Sequence, residues 1–508
     1  MTHKIGTVIT GHNEPNVNQF RFVVDNNGEN NSEIPIKKGQ YVELFEYESK
    51  IIAMVIDIFK TNRYFARAES VQEYNKLSEI QNIFPTDRWE YIVGIGKPIG
   101  KYNKNNSRLD QVSYPPSPGD SIYLASDETL IQLMGLNISN GLNLGKIRYH
   151  ETLDAKFDLT RLVQKHIAIL AMSGAGKSYT SSVLIEELLK RRREHGRIAS
   201  IIIDVHGEYS FLNEKAKDKL NKIDFSNRIK LIKSPFMTLN TALLSAYQIS
   251  KFQSHISPAQ TRELNRIIWN YRQQVPGYTY SLKDLIEEIE KDDQIHVKTK
   301  DALLGWLYPL DNMEIFTDQE NPNLEEEIVP GRGLILDLSD TISIMKKQIL
   351  VSYFAQRLFD LRKNGKICPF ILIIEEAHQF CPEGKAISKK IIETYSREGR
   401  KFGASLCLLS QRPVKLSTTA LSQCGSHIIM RITNPYDLDH IRKSSEQITS
   451  ETLGLISNLP VGEALIVGAA TNFPLFVQIR KKLSSDKEAF LDLQDEAKKW
   501  EKIHNNNT

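Results

Sequence analysis

His166–Ser178 reads HIAILAMSGAGKS, and how that stretch is taken decides the fold. Ile167, Ile169 and Leu170 supply the apolar run of a buried strand, and the residues from about Lys177 to Arg193 continue as a helix. Between the two, Gly174 and Gly176 let the backbone close around a phosphate, because only a residue without Cβ permits that approach. Lys177 then places one positive charge at the β- and γ-phosphates of a nucleotide, and the Ser178 hydroxyl is a Mg²⁺ ligand. The positive end of the helix dipole points at the same anion. Ala171 stands where the GxxxxGK[ST] pattern has its first glycine, a position where another small residue still fits.

The rest of the composition sets bounds. A chain of 508 residues implies about three domains. A hydrophobic fraction of 41% is ample for sizeable cores, and 25% charged residues is ordinary for a globular protein. The net charge of +3 excludes a globally basic nucleic-acid binder, so any basic surface is local. Cys368, Cys381, Cys407 and Cys424 show no CxxC spacing and fall near predicted buried strands, which reads as reduced core cysteines in a cytoplasmic protein. The histidines show no ligand pairing with those cysteines. No apolar run approaches the length of a membrane span and Met1–Gly11 is no signal peptide, so no membrane partner is expected.

Taken in order, residues 1 to about 130 read as all-β. Val42 and Leu44 alternate with polar positions, Ile51–Phe59 is apolar but for Asp57, and Tyr91–Ile95 and Ser121–Ala125 are further short strands. Lys38-Gly39, Lys97-Pro98 and the Pro115–Asp120 run are turn signals, and short strands closed by such turns predict a small barrel. Ser70–Ile83 reads as a helical interruption and Lys101–Ser107 as a polar loop. From about Gly141 strands and helices alternate, the mark of a parallel α/β sheet. Ser200–Val205 is the strand after the phosphate loop. Residues 210 to 325 interrupt the alternation with helical faces, among them Thr261, Leu264, Ile268 and Tyr271, then Leu282, Leu285, Ile286 and Ile289, then Leu303, Leu304 and Leu307. The α/β pattern resumes at Gly333–Leu338 and continues through Phe370–Glu376, Ala404–Ser410, His427–Ile432, Glu463–Val467 and Leu475–Ile479. A terminal helix from Asp486 carries Phe490, Leu493, Ala497 and Trp500 on one stripe that needs a partner surface.

Three stretches carry chemistry. Phe370–Glu376, FILIIEE, is a buried strand ending in two carboxylates. A phosphate loop that hydrolyses a nucleotide needs one acid beside Mg²⁺ and one base to orient water, and Glu375 and Glu376 fit these roles in that order. Gln411 ends the strand Ala404–Ser410, and strand ends on one edge of a parallel sheet converge on a ligand, so it is placed to sense the γ-phosphate or hold the water. Arg397 to Gly403, REGRKFG, is a dense cationic turn. It is either an exposed helix end or the source of an arginine reaching a neighbouring site.

The order AMSGAGKS, DVHGEY, IIEEAH, SREGRKFG, LSQRP, GEALIVG resembles the HerA family of hexameric DNA-translocating ATPases, in the FtsK–HerA branch of RecA-like P-loop proteins, over about residues 140 to 480. Asp204–Tyr209 resembles that family's DPHGEY with Val205 for proline, and Glu375 stands for its aspartate. The resemblance implies an α/β fold: a RecA-like P-loop NTPase core with a helical insertion, preceded by a small N-terminal β-barrel like the family's HAS barrel. The boundaries it implies are residues 1–135 for the barrel, 136–209 and 326–480 for the core, 210–325 for the insertion and 481–508 for a C-terminal helical brace.

It further implies ATP and Mg²⁺ as cofactors. The nucleotide is assigned to Ser173, Gly174, Ala175, Gly176, Lys177, Ser178 and Tyr179, with Asp204 near the phosphates. Ser178 and Glu375 take the metal side, Glu376 is the general base and Gln411 a sensor. Arg400 is the arginine finger acting in trans, with Arg397 its rival. As partners the resemblance implies a homohexamer, duplex DNA in the axial channel, and an effector docked on the barrel, a nuclease or a sirtuin-like NADase, in DNA end processing or anti-phage defence. Lys385, Lys389 and Lys390 in GKAISKK are the candidate DNA contacts, and a solvated helix start explains them equally well. Two other readings fit an intact GKS and EE: a P-loop ATPase that remodels protein, and a nucleotide-switched ring scaffold that activates an effector without moving DNA.

Overall fold

The computed structural model describes residues 4–505 apart from 12–13, 26–35, 47–48, 63–64, 66, 68, 70, 73–89, 104–107, 216–221, 254–255, 275–276, 278, 446 and 485–492. The chain forms two compact units, Met1–Asp158 with Glu446–Gln478, and Leu159–Ser445 with Ile479–Thr508.

In the first unit the strands β1 (Lys4–Ile9), β2 (Phe20–Val24), β3 (Tyr41–Glu46), β4 (Ser49–Asn62), β5 (Glu90–Asn103), β6 (Arg108–Asp110) and β7 (Ser121–Leu124) run in the order β2-β1-β7-β3-β4-β5-β6. Pairing of β2 with β5 closes the first six into an antiparallel barrel, with β6 as an extension of β5. The period-two pattern turns Phe20, Phe22 and Val24 inward with Val42, Leu44, Ile51 and Ile122. Closure depends on glycine at two positions: a Cβ on Gly94 would meet the Phe22 ring at 2.3 Å and one on Gly96 the Phe20 ring at 2.4 Å. Lys97-Pro98 is no turn but lies inside β5, where the register shifts against Ile52 and Ala53, and such a bulge tolerates proline. Lys101–Asn103 likewise extends β5 rather than opening a loop. The helical reading of Ser70–Ile83 falls almost wholly outside the described residues. Beyond the barrel, β8 (Leu142–Ile147) and β9 (His150–Phe157) form an antiparallel hairpin, so the parallel pattern starts later than Gly141. Strand Leu475–Ile479 lies between Glu463–Gly468 and β8.

The second unit holds β10 (Ile167–Leu170), β11 (Ala199–Asp204), β12 (Ile229–Lys233), the two-residue pair β13 (Leu239–Asn240) and β14 (Phe316–Thr317), then β15 (Gly333–Asp337), β16 (Phe370–Ile374), β17 (Ala404–Ser410) and β18 (Ser426–Ile429). Its sheet runs β12-β15-β11-β16-β17-β10-β18, with every neighbouring pair parallel. The six strands other than β12 are buried along their whole length, which is why they read as continuous apolar runs rather than alternating ones. Helix α1 (Lys177–Lys190) follows β10. Helices α2 (Ala246–Lys251), α3 (Pro258–Gln274), α4 (Leu282–Lys291) and α5 (Val297–Asp311) form the interruption, α6 (Ile344–Lys363) follows β15, and α7 (Lys389–Phe402) joins β16 to β17.

The stretch 210–325 is not helical throughout. Ile229–Lys233 returns to the core as its edge strand, a short run whose side chains are only half buried and so lacks the apolar signature of its neighbours. The helices bury the expected faces: α4 buries Leu282, Leu285, Ile286 and Ile289, starting from a Ser281–Asp284 capping box. The C-terminal segment is tied to α1. Arg480 donates to Glu186 and Glu187 at 2.8 Å each, Ser484 Oγ to Glu186 at 2.6 Å, and the Lys482 amide to the Tyr179 hydroxyl at 2.8 Å. Leu493 and Trp500 of the last helix are exposed. All four cysteines are free thiols, three of them buried. Among the described residues no helix is long and apolar enough to cross a membrane.

Two core histidines make the second unit pH-sensitive. Burial lowers both His166 and His427 to about 4. The unfolded chain therefore binds more protons than the folded one between that value and the free-histidine value near 6.5. Their contribution to stability is full above that range and is lost as pH falls through it. We expect about 2 kcal/mol of lost stability per histidine at pH 5, read as a falling melting temperature between pH 7 and pH 5. A melting temperature flat across that interval would contradict neutral burial of both rings.

Candidate active site

The site is built on the carboxyl-terminal edge of the sheet. β10 ends in the glycine turn, β16 ends at Glu375 and Glu376, and β17, which lies between them, ends at Gln411. This strand order brings together three stretches far apart in sequence. Gly174 and Gly176 take φ of +76° and +102°, a region closed to most side chains, and no atom lies within 4 Å of where a Cβ on Gly174 would stand. The loop is thus open on the side where an anion would approach the start of α1.

Lys177 is buried, with its ammonium 2.9 Å from Glu376 Oε1 and 3.7 Å from Glu375 Oε1. Gln411 Nε2 donates to the same Glu376 Oε1 at 2.9 Å. The other oxygen of Glu376 is 3.3 Å from His378 Nδ1, which in turn lies 3.3 Å from Ser410 Oγ. Burial, together with the nearby cations Arg412 and Lys177, holds His378 below the usual histidine range despite Glu376, so the ring is neutral at pH 7. Glu376 has φ +46° and ψ +45°, a left-handed conformation that is uncommon for a residue with a side chain. Such backbone persists where surrounding contacts over-determine it, and Lys177, Gln411 and His378 are those contacts.

Glu375 is wholly buried. Its Oε2 accepts from the amides of Val205 and His206 at 2.9 and 3.2 Å, and its Oε1 lies 3.7 Å from the Lys177 ammonium. Burial raises it to about 9, with the charge of Lys177 opposing and Asp204 and Glu208 reinforcing. Asp204 lies within hydrogen-bonding reach of Glu375 and also builds the turn that follows. Its two oxygens accept from the amides of Glu208 and Tyr209, at 2.9 Å each. What that turn delivers is Glu208, which the sequence reading passed over inside DVHGEY. Its carboxylate lies within hydrogen-bonding reach of Ser178 and Glu375. Burial works against its charge, but those bonds and Lys177 bring it below the ordinary carboxylate range. The signal was the motif itself, which places a second acid four residues after the strand end.

The Tyr179 hydroxyl accepts from the Lys482 amide. Arg400 is not in this site. It sits in the last turn of α7, exposed, close enough to His166 for its charge to act on that ring, and His166 precedes β10 on the opposite edge of the sheet. A glycine one residue earlier lets the end of α7 close onto β17, since a Cβ on Gly399 would meet the Ala404 carbonyl at 2.3 Å. β17 has 7 residues, so Arg400 lies about 20 Å from the Gln411 end. Arg397 is exposed on the same helix. Of the three lysines in GKAISKK, Lys389 donates to the carbonyls of Glu383 and Gly384, Lys385 is exposed, and Lys390 turns to Tyr247.

A parallel sheet with a glycine loop, a buried lysine and a strand-end glutamate held by a neighbouring glutamine defines a P-loop ATPase, an enzyme that hydrolyses ATP. Comparison with known proteins narrows the class. Residues 142–358 match the family "Helicase HerA, central domain". The chain is 30% identical to a probable helicase of Methanocaldococcus jannaschii over 88% of its own length and 86% of the relative's. It is 27% identical to the DNA double-strand break repair helicase HerA of Pyrococcus furiosus, over 77% of this chain and 78% of that one. Among solved structures, VirB4 of Thermoanaerobacter pseudethanolicus superposes with a TM-score of 0.52 at 16% identity, covering 68% of this chain and 98% of that chain, and supports the fold. This chain belongs to the HerA helicase family.

Proposed function

We propose that this protein is an ATP-driven DNA translocase that works as a homohexameric ring with one nucleotide between each pair of subunits. The observation that carries the reading is the separation of Arg400 from its own site. A cation exposed on the far edge of the sheet, a strand's length from Gln411, has no catalytic use within the subunit. It has one if that edge faces a neighbour's phosphate loop. The relatives named as DNA repair helicases give the substrate class.

Within each site Lys177 holds the β- and γ-phosphates, Glu376 accepts the proton of the attacking water, and Gln411 and His378 orient Glu376. Mg²⁺ fits the donors present, since Ser178 offers a hydroxyl beside the carboxyls of Glu208 and Glu375. Among the described residues no cluster of three or more His, Cys, Asp and Glu is disposed as a metal site, as expected for an ion held largely by phosphates and water. When bound, the ion neutralises charge on the phosphate oxygens. The barrel is the docking face for a partner effector, a nuclease or a sirtuin-like NADase.

The test is ATP turnover with and without duplex DNA, alongside light-scattering mass in ATP and Mg²⁺. A hexamer whose turnover rises with DNA is expected. A monomer, or turnover indifferent to DNA, would favour protein remodelling or a nucleotide-switched scaffold instead.

A further inference from the structure

Tyr247 on α2 is half exposed, and two ammoniums converge on it: Lys251 Nζ stands 4.8 Å from the ring centroid and Lys390 Nζ 5.5 Å. Lys251 is one turn along α2, while Lys390 comes from the first turn of α7, 143 residues away in sequence. Lys390 also lies 3.4 Å from the Tyr247 hydroxyl. Hydrogen bonds from Lys390 and then Lys251 lower the phenol below the usual tyrosine value, so both cations bear on one oxygen. Among the described residues no carboxylate pairs with either lysine. The cluster borders a cavity of about 290 Å³ whose walls include Phe252, Tyr353 and Ile391.

Two ammoniums held on one exposed aromatic ring repel each other, and among the described residues no carboxylate offsets that repulsion. A polyanion offsets it, and a phosphate set against this ring receives donors from two ammoniums and a hydroxyl. We infer that Tyr247, Lys251 and Lys390 form a contact site for the phosphate backbone of DNA, contributed jointly by the helical insertion and α7. The inference rests on the DNA reading above and deepens it. It also assigns a task to the insertion: α2 brings Tyr247 and Lys251 to a helix that begins just after the loop carrying Glu376. Lys390 and Arg400 are ten residues apart on α7, about 15 Å, so strand contact at one end and the neighbour's nucleotide at the other act on one rigid helix.

The test is the salt dependence of duplex DNA affinity for the full-length protein carrying Lys251→Gln with Lys390→Gln. A matched control, Lys283→Gln with Lys298→Gln, removes two charges elsewhere on the insertion. Melting temperature and light-scattering mass verify folding and assembly of both. The site predicts at least about a tenfold loss of affinity for the first pair at physiological salt and a log–log salt slope shallower by about 1.8 per engaged subunit, with the control like wild type. Tyr247→Ala loses affinity in the same direction. Equal losses in both pairs, or no loss in either, while wild type binds, would overturn the site and leave an acidic protein segment as the better ligand. A wild-type protein that binds no DNA would sink the translocase reading, and this site with it.

Discussion

Glu376→Gln stops ATP turnover, by a factor of about 10²–10⁴, while ATP binding stays intact or tightens. The amide keeps the shape of the side chain, and its oxygen still accepts from Gln411 Nε2, which meets Glu376 Oε1 at 2.9 Å. It cannot take a proton from water. The second half of the expectation comes from Lys177. Its ammonium lies 2.9 Å from Glu376, so incoming phosphates compete with that carboxylate for the cation. Removing that charge removes a competitor and a source of repulsion toward the γ-phosphate. Single-turnover hydrolysis and equilibrium binding of a fluorescent ATP analogue read the two effects separately. A folded variant that loses binding together with hydrolysis would count against Glu376 as the base.

Arg400→Ala is expected to cost about 10³–10⁵ in turnover, the range for a cation that stabilises the transition state from a neighbouring subunit. ATP affinity should change little, because the residue lies on the sheet edge remote from its own phosphate loop. Arg397→Ala makes the comparison direct: both arginines are exposed on α7, and the larger kinetic loss identifies the one that reaches the neighbour. A loss of ATP binding in an Arg400→Ala protein that still assembles would place the residue's role within its own fold instead.

Much of this was legible in the sequence because parallel strands buried on both faces leave continuous apolar runs. β10, β11, β15, β16 and β17 were all readable, and with them the edge where Lys177, Glu376 and Gln411 meet. What stayed hidden depended on geometry rather than residue type. Ile229–Lys233 is a half-buried edge strand and reads like a loop inside a helical stretch. Lys97-Pro98 carries a turn's composition but sits on a bulge. Asp204 and Glu208 are both acids of one motif, and only the backbone turn shows that the first builds it and the second reaches Ser178. Glu186 and Glu187 sit buried in α1 as anomalies until Arg480, nearly three hundred residues later, supplies their counter-charge. Arg400 was flagged by the density of charge around it. The direction of α7, from the active edge to the opposite one, is what removes it from its own site.

The central claim, that each site is completed by a neighbour, is tested most directly by mixing Arg400→Ala subunits with Glu376→Gln subunits and measuring ATP turnover. Each protein alone is inactive. In a mixed ring, an interface where the Arg400→Ala subunit holds the site and the Glu376→Gln subunit supplies the arginine contains an intact base and an intact finger. Part of the wild-type rate is therefore expected to return once subunits have exchanged. Doping each variant into wild type reveals strict coordination around the ring, which would make activity fall more steeply than linearly. No recovery on mixing, with exchange verified and linear doping curves, would contradict catalysis shared between subunits through Arg400.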